Sequence, residues 1–178
     1  MAGPARAWIG LGGNRKDSAS LLEAALQRLA AAPRLMLLRR SRLYRSPPWG
    51  FLDQPDFVNA VAEFETELLP LELLADLQAT EGHLGREPKT RRWGPRSIDL
   101  DLLTYDNLEM RSDDLVLPHP RMHLRAFVLV PLLELEPDFV LPGIGSAADC
   151  LNKMDPGDAA AVAALDPAER EDSWPEHH

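Results

Sequence analysis

The stretch Phe57 to Thr66, F-V-N-A-V-A-E-F-E-T, limits the fold more than any other part of the chain. Its residues alternate, so Val58, Ala60, Ala62 and Phe64 point one way while Phe57, Asn59, Val61 and Glu63 point the other. That is a strand with a core-facing side and a mixed side. The segments around it are read against this one. Trp8-Ile9-Gly10-Leu11-Gly12 reads as a short buried strand, with Gly12-Gly13-Asn14 as the turn that leaves it. A helix follows, with Asp17, Ser18 or Ser20 as candidate N-caps and a capping-box spacing from Ser20 to Glu23. Its apolar stripe is Leu21, Leu22, Ala25, Leu26 and Leu29, and Pro33 ends it. Leu35 to Arg45 reads as one strand, followed by a loop around Pro47-Pro48-Trp49-Gly50. After Phe57–Thr66, a second helix starts at Pro70, a favoured first helical position, with Leu73, Leu74, Leu77 and Leu84 on its buried side. Ile98 to Tyr105 reads as the closing strand.

The order strand–helix–strand–strand–helix–strand predicts an α+β fold. It is a ferredoxin-like βαββαβ core, with an antiparallel sheet and the helices packed on one face. Long loops, the candidate catalytic loops, separate these elements. Past Leu117-Pro118-His119-Pro120-Arg121 a helical turn and one further element run through Leu135. The expected boundaries are one domain over residues 1–154 and a C-terminal tail over 155–178, either a peripheral helix or loose. No internal repeat or linker divides the chain. At 178 residues it can bury an adequate core without covalent staples. The single Cys150 rules out an intramolecular disulfide and is read as structural in a reducing compartment. The longest apolar run, Ala126 to Leu133, is far too short to span a bilayer, so the expected location is the cytoplasm.

Charge locates the chemistry. The chain carries 19 Lys and Arg against 28 Asp and Glu, a net charge of −9, which argues against broad nucleic-acid binding. Yet Arg86, Lys89, Arg91, Arg92 and Arg96 fall within eleven consecutive residues, and Asp99 and Asp101 follow at once. On a strand the two acids share a face while Ile98, Leu100 and Leu102 enter the core. Magnesium takes oxygen ligands, usually one or two carboxylates completed by water and phosphate, so this pair can hold ions that clamp a polyphosphate. Taken alone, D-x-D reads more readily as a solvated strand face; the cations beside it favour a site. The basic segment can be an ordinary loop, but Pro88, Trp93, Gly94 and Pro95 suit a lid over a ligand, and Arg grips phosphate bidentately.

Other features are less specific. Gly10-Leu11-Gly12-Gly13 lacks the spacing of a nucleotide fingerprint and is read as a tight strand-to-helix turn. His119 between two prolines is by itself a turn residue. Phe57 and Asn59, with Phe127 distant in sequence, can either hold a flat heterocycle, by stacking and an amide at its edge, or form a small apolar cluster under the loops. The residues leave these two readings level.

The run Arg92-Trp93-Gly94-Pro95-Arg96-Ser97-Ile98-Asp99-Leu100-Asp101-Leu102-Leu103 resembles the signature of the 6-hydroxymethyl-7,8-dihydropterin pyrophosphokinase family. The resemblance continues in Gly12-Gly13-Asn14, in Tyr44-Arg45-Ser46-Pro47-Pro48 and in Asp53 through Ala60. It closes with Pro118-His119-Pro120-Arg121-Met122 and Arg125-Ala126-Phe127, so it covers about residue 7 to about residue 150. It implies an ATP:dihydropterin diphosphotransferase of folate biosynthesis, a monomer, which moves pyrophosphate from ATP to the pterin hydroxymethyl group and releases AMP. It implies two Mg²⁺ ions on Asp99 and Asp101. It assigns ATP to Gln78, Glu81, Arg86, Trp93, Arg96, Leu102, His119 and Arg125. It assigns the pterin to Ser46, Pro47, Trp49, Phe57, Asn59, Trp93, Asp99 and Phe127, and catalysis to Asp99, Asp101, Arg96 and Arg86. Pro88 and Asp114 depart from the family pattern, which carries arginines there. The rivals are a non-catalytic RNA-binding module of the same fold and a Mg-dependent phosphotransferase with another acceptor. Against the first, this chain lacks the basic-aromatic run such modules use, and release of AMP rather than ADP separates the second.

Overall fold

A computed structural model describes residues 3–48, 53–85 and 98–166. Strand β1 (Ala5–Gly13) leads into helix α1 (Ser18–Ala31), then β2 (Leu35–Arg40), β3 (Tyr44–Ser46), β4 (Phe57–Thr66), α2 (Pro70–His83) and β5 (Asp99–Tyr105). A short hairpin of β6 (Met110–Arg111) and β7 (Val116–Leu117) and a 3₁₀ turn (Met122–Leu124) precede α3 (Ala126–Leu135). The chain then makes the hairpin β8 (Val140–Leu141) and β9 (Gly145–Ser146), α4 (Ala147–Asn152), α5 (Pro156–Ala160) and β10 (Ala163–Ala164).

The main sheet runs β10-β3-β4-β1-β5, with β2 also on β4, and all its pairings are antiparallel. This is the expected βαββαβ arrangement. Residues Ala7, Ile9, Leu11, Val58, Ala60, Ala62, Phe64, Leu100 and Leu102 face α1 and α2 and build the larger core with Leu22, Leu26, Leu73 and Leu77. The face separation expected of Phe57–Thr66 therefore holds. The second face is covered in part: Trp8, Val61 and Leu103 pack with Val128, Leu129 and Leu132 of α3.

Three local expectations change. Leu35 to Arg45 is two strands, because Ser41 breaks the ladder. Ser41 N–H donates to the Val61 carbonyl at 2.8 Å, and its hydroxyl accepts from Val61 N–H at 2.9 Å. β2 and β3 then lie end to end along the same edge of β4. The Ser20–Glu23 capping box does not form, because α1 already begins at Ser18 and Glu23 takes Arg40 as its partner at 2.5 Å. The Gly10–Gly13 run is strand, not turn: every one of its residues pairs with β4.

β10 pairs with Tyr44 and Arg45, and Val162 and Leu165 are 9% and 6% exposed. Burying two such side chains is worth about 3 kcal/mol or more. Deleting residues 155–178 should lower stability by about that amount, read as a fall in the urea midpoint. An unchanged midpoint would show that the fold closes by residue 154.

Candidate active site

The second sheet face is filled at one end and open at the other. Trp8, Gly10 and Gly12 succeed one another on that face of β1, so a large side chain gives way to none. Gly10 stands opposite Asp101 and Gly12 opposite Asp99, while Gly12 also pairs with Asn59 on the other side. The result is a cavity of about 560 Å³ on a glycine floor, within the size range of small-molecule sites. Asp99, Asp101, Ser46, Pro47, Phe57, Asn59, His119, Arg121, Leu124, Arg125 and Phe127 all line it.

The pleat brings the acids together. Asp99 and Asp101 are half-buried on the cavity side, while Ile98, Leu100 and Leu102 are buried beneath. No group of three or more His, Cys, Asp or Glu suited to a metal occurs among the described residues. Two carboxylates on one face of a wide cavity suit a hard cation that keeps water and substrate oxygens, rather than an all-protein cage. Arg125 Nη1 lies 4.0 Å from Asp101 Oδ2, and its guanidinium carbon sits 5.6 Å from the centre of the Phe127 ring. One cation thus touches both the acidic and the aromatic part of the wall. Burial, against the pull of Asp101, lowers the Arg125 pKa, which leaves the group charged.

Asn59 and Ser46 are both buried. The Asn59 side-chain amide donates to Ser46 Oγ at 2.6 Å, and a Cβ on Gly12 would come within 3.1 Å of Asn59 Oδ1. A side chain here would push the amide back by a few tenths of an ångström, so glycine suits the close approach. A second amide holds the entry to β4: Asn14 donates to Gln54 Oε1 at 2.8 Å and to the Pro55 carbonyl at 3.3 Å.

His119 Nδ1 accepts a hydrogen bond from the Arg121 backbone N–H at 3.1 Å. The neutral ring therefore carries its proton on Nε2 as a donor. Burial, helped by Arg125 and Arg121, pushes its pKa down from 6.5 to about 4.

The structure thus gathers Ser46, Pro47, Phe57, Asn59, Asp99, Asp101, His119, Arg125 and Phe127 at one place. Leu102 is not among them, because the alternation that exposes Asp101 turns Leu102 into the larger core. Gln78 and Glu81 lie on α2, across the sheet from the cavity and outside its lining. Trp49, Arg86, Lys89, Arg91, Arg92, Trp93 and Arg96 lie outside the described residues, as does Pro88; Asp114 is exposed before β7. Sequence reading missed Gly10, Gly12 and Gly13 as floor and Arg121 and Leu124 as wall. Glycines repeated along a strand are themselves a signal of close approach.

Residues 8–137 match the family model described as 7,8-dihydro-6-hydroxymethylpterin-pyrophosphokinase. A Methylorubrum extorquens protein named 2-amino-4-hydroxy-6-hydroxymethyldihydropteridine pyrophosphokinase is 46% identical over 151 residues, covering 85% of this chain and 94% of its own length. A Haemophilus influenzae protein of the same name is 47% identical over 136 residues, covering 76% and 84%. Among solved structures, an HPPK-DHPS complex with substrates superposes with a TM-score of 0.66 at 13% identity over 85% of this chain. The Plasmodium falciparum HPPK-DHPS with pterin and p-hydroxybenzoate also gives 0.66 at 13% identity, over 86%. The chain spans 43% and 42% of those two longer chains, and at such identity they show the fold alone.

The His119 environment sets a pH dependence. Its unfolded form protonates near 6.5 and its folded form near 4. The folded state therefore binds fewer protons between those values, and the stability that neutral His119 contributes is complete above pH 6.5 and lost as pH falls toward 4. A His119→Asn variant should lose up to about 2 kcal/mol less than the parent between about pH 7 and about pH 5, measured by urea unfolding. Identical pH slopes for the two proteins would refute the half-buried neutral imidazole.

Proposed function

Because this chain belongs to the 7,8-dihydro-6-hydroxymethylpterin-pyrophosphokinase family, we infer that the glycine-floored cavity is where its two substrates meet. The enzyme transfers pyrophosphate from ATP to the hydroxymethyl group of 6-hydroxymethyl-7,8-dihydropterin, releases AMP, and serves folate biosynthesis. The observation that carries the site assignment is the convergence of Asp99, Asp101, Phe57, Asn59, Phe127, His119 and Arg125 on one cavity.

The hydroxymethyl oxygen forms a bond to the β-phosphorus, the bond from that phosphorus to the α-phosphate bridging oxygen breaks, and the hydroxyl proton is lost. Such a transfer asks chiefly for alignment and charge neutralisation. Asp99 and Asp101 would hold Mg²⁺, two ions in this reading, supplying positive charge against the triphosphate. Phe57 and Phe127 take the faces of the pterin, and Asn59, its amide set by Ser46, reads the edge. His119 donates from Nε2 to a phosphate oxygen, and Arg125 adds a fixed positive charge. Gln78, Glu81 and the segment 86–97 remain candidates for the outer part of ATP. In this reading the protein acts as a monomer in the cytoplasm.

Arg125 also gives a reason for binding order. It lies over one face of Phe127 and beside Asp101, so a Mg-nucleotide that draws it to phosphate uncovers the ring for the pterin. Pterin affinity should therefore rise when a non-hydrolysable ATP analogue and Mg²⁺ are present, and equal affinities would remove this order. For the reaction, AMP should form from ATP only when the dihydropterin is added. Asp101→Asn should cut that turnover by at least about a thousandfold, while pterin binding by fluorescence changes little. A variant with undiminished turnover would exclude the carboxylate-held metal.

A further inference from the structure

Arg121 has a backbone task and no assigned side-chain task. Its N–H sets the His119 tautomer, while its side chain is exposed and lines the cavity. Arg6, Arg34, Arg39, Arg40 and Arg42 each lie within 4.0 Å of a carboxylate. Among the described residues, Arg121 faces none at that range. It stands instead near a second cation, Arg125, and the neutral His119 ring: its charge disfavours the protonated forms of both. Like charges collected on one wall of a concave site repel until an anion comes between them, and guanidinium groups suit phosphate oxygens.

The position along the chain narrows which anion. His119, Arg121 and Arg125 come in one short run that ends at Phe127, an aromatic wall of the same cavity. In the reading above, the pterin stacks on Phe127, so the phosphates nearest this run are those being handed to it. The adenosine and the α-phosphate leave as AMP and lie farther out. We propose that the Arg121 guanidinium binds the β,γ-pyrophosphoryl group of ATP, as a substrate-binding residue beside His119 and Arg125. The inference rests on the site assignment above and adds to it a cation on the side of the transferred group.

Arg121→Gln is a clean test, since it keeps the backbone N–H and hence the His119 tautomer. Measured by calorimetry with Mg²⁺, the variant should bind α,β-methylene-ATP roughly tenfold more weakly, with a similar rise in KM for ATP. Its affinity for AMP and for the pterin should match the parent, and Arg121→Lys should recover part of the loss. Parental affinity for α,β-methylene-ATP in Arg121→Gln would overturn the proposal, and so would an equal loss toward AMP. AMP release by the parent enzyme, measured alongside, reports on the assigned reaction separately.

Discussion

Everything at the site depends on how one face of three central strands is divided between packing and opening. The pleat of β4, β1 and β5 commits alternate residues to the core beneath α1 and α2, which leaves the other face to be covered or exposed. Along β1 that choice is made by side-chain size. Trp8 packs edge-on against Phe139, with ring centres 5.2 Å apart, and joins Val61 and Leu103 under α3. Two and four residues later, Gly10 and Gly12 contribute no side chain, so the same face opens. The acids of β5 and the amide of β4 border that opening because their partners across the ladder are these glycines.

Helix α3 has to be held firmly for this to work, since it covers one half of the face and carries Phe127 to the other. Polar contacts do that at its C-terminal end. Arg39 donates to the Leu135 carbonyl at 2.5 Å, satisfying one of the acceptors a helix end leaves open. Glu134 accepts from the Tyr44 hydroxyl at 2.7 Å and from Arg42 Nε at 2.6 Å, tying the helix to the start of β3. Burial, with Glu134 beside it, raises the Tyr44 pKa, so the hydroxyl stays a donor. Buried Glu63 bridges Arg39 and Arg6 at 2.6 and 2.8 Å, which keeps the Arg39 end of the network in place. These arginines are spent on structure. Those at residues 121 and 125 face the cavity, and this division gives an acidic protein a locally cationic wall.

Much of the fold was legible because it rests on short-range periodicity. The alternation in Phe57–Thr66, the stripes of the two helices and the D-x-D spacing each report a face, and the structure kept all three. The single strand expected over Leu35–Arg45 was misread because Ser41 spends both its backbone and its hydroxyl on Val61, a bond with a residue twenty positions on. The contribution of Val162 and Leu165 was hidden for a similar reason, since a strand of two residues has no period to detect. Leu102 shows the reverse limit: although next to a cavity residue in the chain, its side chain enters the core on the other side of the sheet.

What the order of residues settled alone was therefore local: which side chains share a face, that the second helix begins at Pro70, and that two carboxylates stand one pleat apart near a concentration of positive charge. Facing is a property of backbone geometry, and it survives without knowledge of partners. Which faces meet was decided only by the folded chain. Phe127 comes to line one cavity with Phe57 and Asn59 because α3 folds back across β4, glycines become a floor because β1 lies between β4 and β5, and Arg121 becomes part of the cavity wall because the turn after β7 places it near His119. These are long-range contacts, set by packing among elements distant in sequence, and no local pattern encodes them.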